Sequence, residues 1–295
     1  MINLIVHADD LGISKKVNEG ILQAHTNGIL TSASIIANGA AFEHAVEICR
    51  SVPTLDVGVH LTLVEEQALL TSDVIATLVN SDRKFHRNAK EFAKKYFMGK
   101  IRLTEVKQEL EAQVRKVLSS GIKVSHLDSH QHLHMLPRIH EITAKIAKQF
   151  EIPAIRFTRE KIRLSMLKEM RLFSRLFLLS VLNRMPRLPE DLEVKQTDHF
   201  AGFLFSGILN KRNLMKVLAN LPYDGTCELM CHPGFDDPHS LYSHWKYFWQ
   251  DELDALLDKD LPGILQEKGI LLISYRDLVA QKNIKFEFPA ACSAG

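Results

Sequence analysis

The apolar positions of this chain switch between a continuous and a helical pattern at short intervals. Leu4 to Ala8 is an apolar run that ends in Asp9-Asp10-Leu11-Gly12, as a buried strand entering a turn does. Ser14 then precedes Val17, Ile21, Leu22 and Ala24, which share one helical face up to a stop at Gly28; a serine-capped helix is predicted. Thr31 to Ala37 reads as a second strand, Ala41 to Arg50 as a short helix, and Val57 to Leu63 as a third strand with His60 at its centre. Strand and helix in strict alternation predict parallel strands joined by right-handed crossovers.

Beyond Val64 the pattern becomes polar and irregular to about Gly99, which reads as an insertion after the third strand. Thr104 is placed as the cap of a long helix through Val106, Leu110, Val114 and Val117, ending before Gly121. A strand then enters the histidine run, Pro137 opens a helix to Phe150, and Ala154 to Phe157 forms the next strand. His199 to Leu204, Leu214 to Leu218, Cys227 to Cys231 and Leu271 to Ser274 continue the alternation. A chain of 295 residues accommodates this as one barrel-like α/β domain, over 1–288, with insertions at about 64–100 and 160–190 and a frayed tail at 289–295.

Composition narrows the class. Apolar residues at 46% and charged residues at 24% are those of a globular protein, and no stretch has the uninterrupted apolar length of a membrane span. A net charge of +2 gives no reason to expect nucleic acid as a partner. The first ten residues lack the basic start and cleavage site of a signal peptide, and Cys49, Cys227, Cys231 and Cys292 are too scattered for a disulfide framework, so a reducing cytoplasm is expected. The segment 160–187 stands apart, because Leu176 to Leu179, Val181 and Leu182 sit among Lys161, Arg163, Lys168, Arg171, Arg175, Arg184 and Arg187. A basic, greasy helix either packs on the barrel or on a second subunit, or lies on an anionic membrane surface; a homodimer and a peripheral membrane contact are both open.

The chemistry concentrates in His126-Leu127-Asp128-Ser129-His130-Gln131-His132-Leu133-His134, four histidines and a carboxylate at the end of a predicted strand. Strand alternation puts His126, Asp128 and His130 on one face. Asp9 and Asp10, adjacent at the end of the first strand, point in different directions, so one can bind a cation while the other faces substrate. A divalent ion on one carboxylate and two imidazoles retains open positions for water and a carbonyl oxygen, and a second carboxylate can accept the water's proton. His232, ending the strand before Pro233-Gly234, is either a proton donor or a turn cap. Arg156 either binds sugar hydroxyls or a phosphate, or pairs with a carboxylate at the core edge; Asp128 can orient a histidine ligand.

His-Ala-Asp-Asp-Leu-Gly at 7–12, Thr-Ser-Ala-Ser at 31–34, Gly-Val-His-Leu-Thr at 58–62, His-Leu-Asp-Ser-His-Gln-His-Leu-His at 126–134, Glu-Leu-Met-Cys-His-Pro-Gly at 228–234 and Ser-Tyr-Arg-Asp-Leu at 274–278 resemble, in order, the motifs of the YdjC-like carbohydrate deacetylases. That family includes chitooligosaccharide and hopanoid-pathway deacetylases. The resemblance implies a distorted (β/α) TIM-like barrel that removes N-acetyl groups from amino sugars with one divalent ion, magnesium or zinc foremost. Carried over by motif, it implies Asp10, His60 and His130 as metal ligands, Asp9 as general base and His232 as general acid, with ion-activated water attacking the acetamide. His132 and His134 are then left to support the ligands or face substrate, although His132 would share a face with His130 if the strand ran on.

Substrate choice rests on the insertions, which follow no pattern assignable to chitooligosaccharide enzymes; the basic segment would suit a lipid-linked N-acetylglucosamine. Two other classes compete: a barrel metallophosphoesterase, which expects a His-x-His pair after the first strand where this chain has Asp-Asp, and a sugar- or membrane-binding module without turnover.

Overall fold

The computed structural model describes residues 1–161, 173–185, 187–188, 192–238 and 240–280. Its elements run β1 Ile2–Leu11, α1 Lys15–Asn27, β2 Ser32–Ile35, α2 Phe42–Ser51, β3 Asp56–Leu61, α3 Ala89–Phe97, α4 Leu103–Ser119, β4 Val124–Ser129, α5 Pro137–Gln149, β5 Ala154–Ile155, α6 Phe173–Leu182, β6 His199–Ala201, α7 Lys211–Leu218, β7 Gly225–Cys231, α8 Trp249–Leu256, α9 Leu261–Glu267, β8 Ile270–Leu272 and α10 Tyr275–Ala280.

All strand pairs are parallel, in the order β5-β4-β3-β2-β1-β7-β6. β7 runs along β1 from Ile2 to Ala8, so the other edge of β1 is shared, with β8 against Ile2–Leu4 and β2 from His7 onward. Among the described residues β5 and β6 do not pair directly; single bridges, Ala154 to Lys195 and Glu160 to Phe200, span the seam. The result is the expected distorted barrel, curved but incompletely closed. Because every strand points the same way, the ends of β1, β3, β4 and β7 reach one rim, where α/β folds place their ligands.

Local rules hold at the first helix. The Ser14 hydroxyl accepts from the amide of Val17, and α1 stops at Gly28. Val17, Ile21 and Ala24 are buried, each large apolar side chain contributing roughly 1.5–3 kcal/mol. Gly20 meets the turn after β7 so closely that an added Cβ would stand 2.4 Å from the Cα of Gly234. This contact fixes the backbone just beyond His232.

Two details differ from expectation. The helix assigned to a Thr104 cap begins two residues earlier, at Leu103 after Arg102, and has no side-chain cap. The stretch 64–99 contains α3, capped by the Asn88 side chain accepting from Glu91 N, with Phe92 fully buried beneath it. Its single core residue is too few to produce a helical period in sequence. Of the basic segment 160–187, residues 162–172 and 186 lie outside the described residues, as does the 289–295 tail. Within the rest, α6 buries Leu179 and Leu182 and exposes Phe177, Leu178 and Val181. No helix among the described residues is long and apolar enough to cross a membrane.

Candidate metal and catalytic site

β1 does not end as a regular strand. Its register with β2 shifts between Ala8 and Leu11, and Asp10 takes a φ of 66°, a left-handed conformation that aspartate tolerates better than most residues. The bulge sends the two carboxylates apart. Asp10 turns toward His60 and His130, and Asp9 turns into the barrel toward Arg156.

The rim residues come together as follows. Asp10 Oδ1 lies 3.2 Å from His130 Nδ1 and 3.5 Å from His60 Nε2, and one donor atom from each of Asp10, His60 and His130 fits within 4.8 Å of the others. His60 Nε2 is buried with no hydrogen-bond partner. An imidazole nitrogen left bare in this way beside a carboxylate fits a divalent cation, as does the donor set of two histidines and an aspartate. The opposite nitrogen of the ring, Nδ1, lies 2.9 Å from Asp128 Oδ1 and 2.9 Å from Ser34 Oγ. Register explains the first contact, because His60 and Asp128 face each other across β3 and β4.

Electrostatics point the same way. Burial raises the pKa of Asp10, but the hydrogen bond and charge of His130, with His60 and His232, overcome it and bring the value below the ordinary carboxylate range. Burial disfavours the charged form of His130, yet Asp10 and Glu65 push its pKa up to about 10. These carboxylates favour a positive charge at this point of the rim, as a bound divalent cation would supply.

Below the rim is a buried ionic layer. Arg156 is fully buried and forks onto Asp9, with Nη2 to Oδ1 at 2.7 Å and Nη1 to Oδ2 at 2.9 Å. The same guanidinium reaches Asp128 Oδ2 at 2.9 Å and Glu228 Oε1 at 2.6 Å, and Glu228 also accepts the Tyr275 hydroxyl. Against burial, the Arg156 charge holds Asp9 and Asp128 well below the usual carboxylate range. Of the two uses expected for Arg156, the structure shows the pairing with carboxylates.

His232 follows β7 at the register of Asp9, since Ala8 pairs with Cys231. Its backbone amide donates to Glu252 Oε2 at 2.6 Å, and its Nδ1 stands 3.8 Å from that oxygen, an ion-pair separation and not a hydrogen bond. Burial works against a charge on this ring, but Glu252, Asp9 and Asp10 prevail and raise its pKa. Tyr247 and Trp249 wall it edge-on.

His132 and His134 face inward. β4 ends at Ser129, so His130 opens a tight turn in which Gln131 and His132 have left-handed φ, and the shared face with His130 is lost. His134 engages Ser129 Oγ at 2.6 Å and the Arg156 carbonyl at 3.0 Å through its two nitrogens; His132 reaches Thr158 Oγ1 at 3.0 Å against Phe200 and Phe203. His126, placed on the face of Asp128, lies deeper: it stacks on Tyr275 at 3.9 Å and faces Gly58, where a Cβ would stand 2.3 Å from its Nε2.

Sequence reasoning missed Ser34, Glu65, Glu228, Trp245 and Tyr247. Ser34 and Glu228 lie within the family-like motifs at 31–34 and 228–234, and strand alternation points Ser34 inward; Glu65, Trp245 and Tyr247 lack a signal beyond position. Trp245 stacks on His130 at 4.9 Å, and a cavity of about 760 Å³ opens beside Glu65 between the 64–99 insertion and the Leu241 to His244 stretch.

Comparison with known proteins identifies the family. A Geobacillus stearothermophilus protein named carbohydrate deacetylase is 32% identical over 275 residues, 92% of this chain and 96% of its own. A Brevibacillus brevis protein of the same name is 28% identical over 281 residues, covering 93% of this chain and 99% of the relative. A solved Enterococcus faecalis structure, described as a candidate cellobiose-phosphate cleavage protein, superimposes with a TM-score of 0.71 at 25% identity, covering 94% of this chain and 98% of its own. The family model described as YdjC-like protein matches residues 3–267, and the chain belongs to that family.

Proposed function

We propose that this protein is a metal-dependent hydrolase that removes the N-acetyl group from an N-acetylated amino sugar. The observation that carries the reading is the convergence of Asp10, His60 and His130 at one rim, with His60 Nε2 buried and bare between them. The relatives named carbohydrate deacetylase support the reaction class.

Asp10, His60 and His130 would hold the divalent ion, which polarises a carbonyl oxygen and acidifies a water when bound. Asp128 accepts from His60 Nδ1–H, fixing the tautomer that leaves Nε2 bare. Asp9 is the proton acceptor. Arg156 keeps it ionised and rigid, at the cost of basicity. His232 is placed to give the leaving amine its proton, because Glu252, Asp9 and Asp10 favour the charged form of the ring against its burial. The aromatic walls Tyr247 and Trp249 exclude water from that transfer.

The ion is zinc or magnesium in this reading; two imidazoles favour zinc among hard and borderline cations. For substrate, the cavity beside Glu65 suits a sugar chain. A lipid-linked acetylated sugar is the second reading, because α6 leaves Phe177, Leu178 and Val181 exposed beside Arg184. Acetate release from N-acetylglucosamine, chitobiose and a lipid-linked N-acetylglucosamine tests both: turnover of the lipid-linked sugar alone, with sedimentation on anionic vesicles, selects the second. Phosphate release from phosphoesters without acetate release would select a phosphoesterase instead, and ligand binding without turnover a binding module.

A further inference from the structure

The turn after β3 holds a residue that the proposed reaction does not use. Glu65 adopts a φ of 68°, in a left-handed region that costs a non-glycine residue roughly 1–2 kcal/mol. The conformation is held by its neighbours, as its amide donates to the His86 carbonyl at 2.9 Å and Val64 bridges to His86. The effect is to aim the carboxylate inward, with a side chain only 12% exposed and Oε2 at 3.0 Å from His130 Nε2. Strain maintained next to a reactive centre is the usual mark of a positioning device.

His130 is thus gripped on both nitrogens, Nδ1 by Asp10 at 3.2 Å and Nε2 by Glu65 at 3.0 Å. Trp245 covers a face of the ring at 4.9 Å. The same turn anchors the segment bearing that tryptophan, because Glu66 Oε1 accepts the Tyr242 hydroxyl at 2.9 Å and His244 Nε2 stands 3.8 Å from Glu65 Oε1. A neutral imidazole carries one proton, and a cation needs a nitrogen without it. The hydrogen bond made on the far side of the ring decides which nitrogen that is.

We propose that Glu65 is a positioning residue for the cation: it accepts the Nε2 proton of His130 and leaves Nδ1 as the nitrogen presented beside Asp10 and His60. The inference rests on the assignment of Asp10, His60 and His130 as the ligands. The test is zinc affinity, measured on the full chain by competition with a chelator, for wild type, Glu65→Gln, Glu65→Ala and His130→Ala. Glutamine retains an acceptor oxygen at the same reach, whereas alanine removes it. The expected result is a 10–100-fold weaker affinity for Glu65→Ala, the range found when such outer partners are lost, with most of it rescued in Glu65→Gln. Nitrogen NMR of the zinc-loaded wild type should show His130 protonated at Nε2, a readout that needs no variant to fold.

A wild type without zinc affinity, or a His130→Ala variant that binds as tightly as wild type, would remove the ligand assignment and the inference with it. Weakened His130→Ala beside an unaffected Glu65→Ala would overturn the inference alone. So would a proton found on Nδ1, or a Glu65→Gln variant as weak as Glu65→Ala, which would make Glu65 a direct ligand.

Discussion

Asp128 Oδ1 lies 2.9 Å from one ring nitrogen of His60, while the other nitrogen, buried and without a hydrogen-bond partner, stands 3.5 Å from Asp10 Oδ1. A buried ring nitrogen left without a partner is costly by itself and makes sense when its lone pair has a cation to bind. Replacing Asp128 by Asn presents either an amide N–H or a weaker acceptor to Nδ1. Zinc affinity should fall about 10–100-fold, measured by chelator competition. Unchanged affinity would show that His60 needs no orienting carboxylate.

Asp9 and the ligands should separate in their effects. Asp9→Asn retains the size of the side chain but loses its basicity, so kcat should fall by about 10²–10⁴-fold, the usual share of a general base, with metal content intact. His130→Ala should lose metal and turnover together. Metal analysis of the purified variants beside their kcat values checks both.

Arg156 binds three buried carboxylates, Asp9, Asp128 and Glu228. Removing one member of a buried ionic cluster leaves uncompensated charge, which typically costs about 3–5 kcal/mol. Arg156→Met should therefore unfold at clearly lower denaturant concentration than wild type near neutral pH. A midpoint equal to wild type would mean that the cluster contributes specificity and not stability.

The buried histidines below the rim set an acid limit. Burial lowers the pKa of His134 to about 3 and that of His140 to about 4. Both sit below the unfolded value near 6.5, so the unfolded chain binds more protons between these limits, and the contribution of these two rings to stability should be complete above about pH 6.5 and decline as pH falls toward 3. Asp9 and Asp128, also depressed, add to the loss only below about pH 4. His130 and His232 are shifted upward and contribute no slope below 6.5. Denaturant midpoints from pH 7.5 to 4.5 check this, and His134→Gln, which retains a polar contact but does not titrate, should flatten the curve.

What could be read in sequence follows from range. Asp10, His60 and His130 stand at or near strand ends, and parallel strands bring such ends to one rim whatever the closing geometry, but it was the resemblance to the family's motifs, not spacing, that implied them as one ligand set. Arg156 at the end of a two-residue strand shows nothing in sequence of the carboxylates waiting 72 and 147 positions away. Glu65 lies in a polar stretch whose fold depends on bridges to His86 and Lys84, and a turn built by such long-range pairs leaves no local period. Asn88 is an ordinary helix cap in sequence, but one buried phenylalanine after it was too little to reveal α3. The inward turn of His132 depends on two left-handed residues in succession, a conformation that no propensity favours.

The central claim is a hydrolysis that depends on the rim cation. The direct measurement is acetate release from N-acetylglucosamine, chitobiose and a lipid-linked N-acetylglucosamine by protein stripped of metal and reloaded with zinc or magnesium singly. The account predicts no acetate from the stripped protein, restored release on reloading, and no restoration in Asp10→Asn. Acetate release at the same rate without metal, or restoration in Asp10→Asn equal to wild type, would contradict it.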